Sequence, residues 1–278
     1  MGAVAWYDVA RWIIVTAPTD IAPLLAVRLP LMDVLEASAV QRAYADRRKA
    51  NAVPDTVLLA RHPPTFCTGV LGKDRNMLAT EEERRHIGVP YVRLDRGGDL
   101  MYVGPGQVVA YPIVLLADLG LDPIRYLRLL EEVVIRALAD FRINAVRIPG
   151  SAGVWVGGAK IAGVAVKVSG GVTTYGFNLN VDPDLAMFRH IVTCGNMGRP
   201  VTSMAQTLGL APALEAVEER VVAHLSEMLV TRSPRLWPPI YPHLLPPVPW
   251  GKAEGHGRRV VLDVRHVAGV DLAPDQGQ

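Results

Sequence analysis

Between Asn144 and Val181 the chain runs through four apolar, β-branched segments: NAVRI, GVWVGG, KIAGVAVKV and VTTYGFNLNV. Gly-Gly and Ser-Gly-Gly steps separate them. Consecutive glycines supply the positive φ that tight hairpin turns need, so this stretch predicts adjacent antiparallel strands. That excludes an all-helical bundle and asks for helices to cover the sheet. Asp122-Pro123 is a helix start, with Asp as N-cap and Pro where no hydrogen bond is lost. Ile124, Leu127, Leu130, Val134, Leu138 and Phe141 follow as one apolar face. A second helix is expected from Asp33 to Arg48, with Val34, Leu35, Ala39 and Val40 near helical spacing, and a last one from Ala213 to Leu229.

Further strands are read at 56–60 (TVLLA), 91–94 (YVRL) and 108–116 (VVAYPIVLL). Pro112 inside the last argues for an edge or a bulge. A charged loop is expected from Pro64 through Arg85. The sum is an α+β or mixed α/β domain over residues 25–232. Residues 1–24 form an extension, read as an extra strand or as the product of an early start codon. After Ser233, seven prolines in eighteen residues predict a linker and tail over 233–278.

At 278 residues, with half of them hydrophobic, one large domain is expected. A net charge of +2, with scattered arginines, points away from nucleic acid. Two cysteines make neither a disulfide framework nor a zinc site. No apolar run nears the roughly 18 residues of a membrane span, and WIIVTAP is too short for a signal core. The expectation is a cytoplasmic protein with two free thiols.

Cys194 stands before Gly195, whose backbone allows close approach and whose N–H suits a developing oxyanion. A thiol is only a few per cent thiolate at neutral pH and needs a base or cation nearby. Lys160 opens a strand of small apolar residues, where desolvation favours a neutral, proton-accepting amine. The loop RGGDLMYVGPGQ (96–107) has the glycine content of a ligand-approached loop but fits neither phosphate-loop pattern. Each feature alone has a plainer reading: a buried core thiol, a snorkelling lysine, a turn. His62 and Cys67 have likewise a structural reading, Cys67 in a loop.

Together these segments resemble the octanoyltransferase family. The resemblance runs from Val27 to Leu229. It rests on His62-Pro63-Pro64, the Arg96-Gly97-Gly98 loop with GPGQ (104–107), YPI (111–113), LEEVVIRALADF (130–141), RIPGSAGVWVGGAKIAGVAVKV (147–168), GFNLNV (176–181), and Cys194-Gly195 followed by VTSM (201–204). It implies the lipoate/biotin protein-ligase fold, a central mixed sheet flanked by helices. It implies Cys194 as nucleophile and Lys160 as its activating base. It places substrate contacts on Arg96, Gly97, Gly98, Asp99, Leu100, Met101, Tyr102, Val103, then Gly163, Val164, Ala165, and Gly176, Phe177, Asn178. The implied donor is octanoyl-acyl carrier protein. The implied acceptors are lipoyl domains of 2-oxoacid dehydrogenase E2 subunits and glycine-cleavage H protein. The implied protein is a monomer needing no cofactor, ATP or metal.

The sequence departs from that family at Val103 and Tyr175, where the family usually has histidine, and at Thr193, where proline is common. Losing two imidazoles points to a drier acyl pocket, a paralogue with another acyl group, or a non-catalytic acyl-protein binder. An ATP-dependent ligase on the same fold is a further reading, disfavoured by the GPGQ ending.

Overall fold

The computed structural model describes residues 13–15, 24–193 and 198–229. Its centre is an eight-stranded mixed sheet. In spatial order the strands are β1 (Ile13–Val15), β2 (Leu24–Leu31), β3 (Thr56–Arg61), β7 (Gln107–Ile113), β11 (Val172–Asn180), β10 (Ala159–Ser169), β9 (Ser151–Val156) and β8 (Val146–Ile148). Only β2 and β3 run parallel. The crossover between them is α1 (Val34–Lys49), as a parallel pair requires. The four glycine-punctuated segments form β8 to β11 as successive antiparallel neighbours.

Two helices start where the sequence indicates, for local reasons. The Asp33 carboxylate accepts from the Leu35 and Glu36 N–H groups, and Glu36 returns the bond to the Asp33 N–H. Asp122 caps α4 (Pro123–Asp140), with Pro123 in its first turn. Of the expected apolar face of α4, Leu130, Val134 and Leu138 are buried and Leu127 and Phe141 pack against the core, while Ile124 is 75% exposed; Tyr126, Glu131 and Val133 are buried as well. Leu35 is likewise exposed on α1. α4 and α6 (Leu214–Met228) pack together over one face of the sheet, around Leu130, Val134, Leu138, Val221 and Leu225. α1 covers part of the other face through Val34, Ala37, Val40 and Tyr44. Two short helices, α3 (Leu116–Leu119) and α5 (Met204–Leu208), serve as connections.

Three expectations are corrected. Residues 64–85 are not a plain loop: they contain β4 (Thr65–Thr68) and α2 (Glu81–His86). β4 lies between β5 (Tyr91–Arg93) and β6 (Met101–Val103) in a separate three-stranded sheet, so Cys67 sits on a strand. Three- and four-residue strands are too short to show a period. Pro112 is not on an edge, since β7 lies between β3 and β11. Pairing of β7 with β11 stops at Ala110 opposite Phe177. Beyond it Tyr175 adopts φ 58° and gives its N–H to Gln41 of α1, so the regular ladder between β11 and β7 is interrupted beside Pro112.

Ile13–Val15 extends the sheet beside β2. The proline-rich linker and tail lie outside the described residues. No described helix is long and apolar enough to cross a membrane.

Candidate active site

The small sheet and the N-terminal end of α1 stand over the face of the large sheet opposite α4 and α6. Between them is a cavity with about 350 Å³ of empty space, part of it open to solvent. Its floor is β10, β11 and β7 through Gly163, Ala165, Gly176, Phe177, Asn178, Val109 and Tyr111. Its roof includes Val34, Cys67, Leu94, Met101 and Val103. Gly163 and Asn178 are cross-strand partners, and a Cβ on Gly163 would stand 2.6 Å from Asn178 Oδ1. Glycine there keeps one end of the cavity open.

Of the residues marked in the sequence, Arg96, Met101, Val103, Gly163, Ala165, Gly176, Phe177 and Asn178 line this space. Gly97 and Gly98 hold the loop down: the Gly97 N–H donates to Val166 O, and Gly98 lies beside Ala165. The Asp99 side chain is spent within the loop, accepting from the Lys73 and Leu100 N–H groups and from Asn76. Leu100 and Tyr102 pack away in a third cluster with Phe66. Tyr102 still contributes its carbonyl, which accepts from Asn178 Nδ2 at 3.1 Å. Val164 points to the opposite face, into the α4–α6 core, as strand alternation requires.

Lys160 begins β10 directly opposite Trp155 of β9. It is 3% exposed, its amine has no hydrogen-bond partner among the described residues, and Nζ lies 5.6 Å from the Trp155 ring centroid. Burying an ammonium is costly unless an acceptor compensates it. The wall beside Lys160 is Gly153, whose φ of 112° suits glycine alone. Gly153 donates its N–H to Glu131, a fully buried carboxylate of α4 that also accepts from Arg128 and Arg147.

Residues 194–197 lie outside the described residues, so Cys194 is placed only by its neighbours in the chain. After them, the Arg199 guanidinium also lies over the Trp155 ring, 5.2 Å from its centroid. Pro200 O then accepts the Lys160 N–H, and the Thr202 N–H donates to Lys160 O. The segment that follows residues 194–197 is thereby bonded to the backbone of Lys160 itself.

Polar groups at or beside the cavity include Arg96 and His62, both marked in the sequence, and Tyr111, which was not marked as a site residue. Arg96 is buried with no carboxylate within ion-pair distance among the described residues; it donates to the Gly97 and Cys67 carbonyls and lies 3.6 Å from Cys67 Sγ. Tyr111 and His62 share a 2.8 Å hydrogen bond, and Met32 O accepts from His62 Nδ1, which fixes the tautomer. Burial drives the Tyr111 phenol far above its ordinary range and holds the His62 imidazole below its own. The sequence marks Arg96 and His62 but carries no signal for the Tyr111 partner of His62. No group of three metal-binding side chains occurs among the described residues.

The sequence profile of the lipoyl protein ligase A/B catalytic domain matches residues 33–226. An octanoyltransferase of Chloroflexus aurantiacus is 48% identical over 192 residues, spanning 68% of this chain and 86% of the relative. Those of Roseiflexus sp. and Rubrobacter xylanophilus are 48% and 43% identical, spanning 83% and 92% of their own lengths. The chain belongs to the octanoyltransferase family. This makes the octanoyltransferase-family chain an acyltransferase enzyme of lipoate biosynthesis. Among solved structures, lipoate-protein ligase A bound with ATP superposes with a TM-score of 0.58 at 18% identity, over 74% of this chain and 84% of that one. A bi-partite lipoate protein ligase from Thermoplasma acidophilum gives 0.56 at 17% identity, over 74% and 82%. These distant likenesses establish that the octanoyltransferase-family chain has the lipoate-protein-ligase fold.

Proposed function

We propose that this octanoyltransferase-family protein moves an octanoyl group from acyl carrier protein to a lysine of a lipoyl domain, through a thioester on Cys194. The observation that carries the reading is Lys160: a buried amine with no hydrogen-bond partner among the described residues, tied through its own backbone to the segment that follows Cys194. Lys160 takes the Cys194 proton, and the thiolate attacks the donor carbonyl. The tetrahedral oxyanion collapses, the carrier thiolate leaves and recovers the proton from Lys160, and octanoyl-Cys194 remains. The acceptor lysine then attacks this thioester. Cys194 leaves as thiolate and the amide forms. The acyl chain occupies the cavity lined by Met101, Val103, Gly163, Ala165, Gly176 and Phe177.

In this reading residues 25–232 are the catalytic domain, working as a cytoplasmic monomer. The lipoyl-domain acceptors belong to E2 subunits and the glycine-cleavage H protein.

The test is an intact mass after incubation with octanoyl-carrier protein without ATP, on wild type, Cys194→Ser and Cys67→Ser. The expected result is one hydroxylamine-labile octanoyl adduct on wild type and Cys67→Ser, none on Cys194→Ser, and onward transfer to a lipoyl domain. An adduct on Cys194→Ser, or none on wild type, overturns the mechanism. A requirement for ATP would instead support an adenylating ligase.

A further inference from the structure

We infer that Tyr175 sets the length of acyl chain this protein accepts, by closing the end of the cavity remote from Lys160. The inference rests on the reading that the cavity holds the acyl chain. It names what limits that chain.

The strand register orients the cavity. Gly163 pairs with Asn178, Ala165 with Gly176 and Val166 with Tyr175. Lys160 stands at the start of the same strand β10. Moving from Lys160 past Gly163 to the level of Tyr175 covers six residues, about 20 Å of extended strand, a little less because of the irregularity between Lys160 and Ala162. On the neighbouring strand β7, Val109 pairs with Asn178, and Tyr111 lies two residues further toward the Tyr175 end. The rings of Tyr111 and Tyr175 meet edge to face there, with centroids 6.3 Å apart and planes at 85°. Both line the cavity and both are buried.

Tyr175 is also unable to step aside. Its backbone N–H donates to Gln41 Oε1 at 2.6 Å, and its phenol is hydrogen-bonded to Ser38 Oγ at 2.9 Å. Both partners belong to α1, so the helix holds the residue at each end. Tyr111, its neighbour, is held in turn by His62. The φ of 58° at Tyr175 is a left-handed conformation that a bulky side chain rarely adopts. Such strain persists where the surroundings over-determine a position, and here it accompanies a ring that lines the cavity beside Tyr111. Gly176, the next residue along β11, lines the cavity without a side chain and lies close against β7: a Cβ there would meet Ala110 O and Pro112 Cδ. Gly163, Ala165 and Gly176 thus offer little side chain along the floor up to the level of Tyr175.

The variant of choice is Tyr175→Gly, which removes the ring and suits the backbone angle, and circular dichroism checks that it folds despite the lost packing. Tyr175→Phe keeps the ring and drops only the Ser38 bond. Wild type and both variants are given hexanoyl, octanoyl, decanoyl and dodecanoyl carrier protein in competition, and the adducts are weighed by mass. In parallel, displacement of a fluorescent fatty acid by free fatty acids of the same lengths ranks binding without any turnover. Tyr175→Gly is expected to move the dodecanoyl-to-octanoyl ratio upward by about tenfold or more, the scale that misfitting methylenes impose in apolar pockets. Tyr175→Phe is expected to keep the wild-type ranking. An unchanged ranking in Tyr175→Gly, at whatever overall rate, overturns the inference. If wild type forms no adduct, the acyl-transfer reading fails, and the displacement ranking alone decides the role of Tyr175. Failure of every fatty acid to bind overturns it as well.

Discussion

Gly153 and Lys160 are in direct contact across two strands. A Cβ built on Gly153 would stand 2.7 Å from Lys160 Cε and 2.5 Å from the Ala162 carbonyl oxygen. Gly153→Ala therefore forces the amine to move, besides straining a φ of 112°. Misplacing a catalytic group by an ångström costs on the order of 100-fold in rate. The expected outcome is that loss in the first acylation step, with KM for the acyl donor nearly unchanged. Single-turnover acylation followed by mass spectrometry measures it, and a wild-type rate would show that Lys160 tolerates displacement.

Lys160→Met keeps the stem and removes the base. Activity should fall by about 100- to 10,000-fold, the usual contribution of a positioned base. Stability should not fall, because the amine is buried with no hydrogen-bond partner among the described residues and its loss removes an uncompensated group. Urea unfolding of the variant beside wild type gives the answer. A clearly lower midpoint would mean that the amine is structural.

Arg48 is 2% exposed and donates to Asp55 and Asp118, each at 2.6 Å, joining α1 to the start of β3 and to α3. Burial pushes the Asp55 carboxyl up, and Arg48 works against that. Arg48→Met leaves a buried carboxylate unopposed, so a loss of about 3–5 kcal/mol is expected at neutral pH. Denaturant unfolding of wild type and variant checks the figure.

His62 predicts a pH dependence. Burial holds its folded-state value below the ordinary 6.5. Just below pH 6.5 the unfolded chain binds a proton that the folded chain refuses. His62 thus contributes stability that is present above 6.5 and is lost as pH falls toward the folded value. His62→Gln retains a donor for Met32 O and an acceptor for Tyr111, and lacks the titration. The unfolding midpoint of wild type should drop more steeply between pH 7 and pH 5 than that of the variant. Parallel slopes would assign the acid sensitivity elsewhere.

What the sequence by itself determined is what short-range physics controls. Asp33 and Asp122-Pro123 start their helices, because a cap bonds N–H groups two and three residues on. The double glycines turn β9 into β10 and β10 into β11, because positive φ is a property of the residue itself. The motif resemblance likewise singled out Lys160 and the loop at Arg96. Tertiary structure decided the rest. It put Pro112 in mid-sheet, where Tyr175 turns its N–H toward α1. It made Cys67 a cavity wall through a second sheet of strands too short to show a period. It turned Val164 away from the site and brought Tyr111, Glu131 and Trp155 to it. Those outcomes depend on which elements meet across 20 to more than 100 residues of chain, as Gln41 meets Tyr175, 134 residues on. No local spacing encodes such a meeting, because the free energy that selects it comes from burying whole faces against one another.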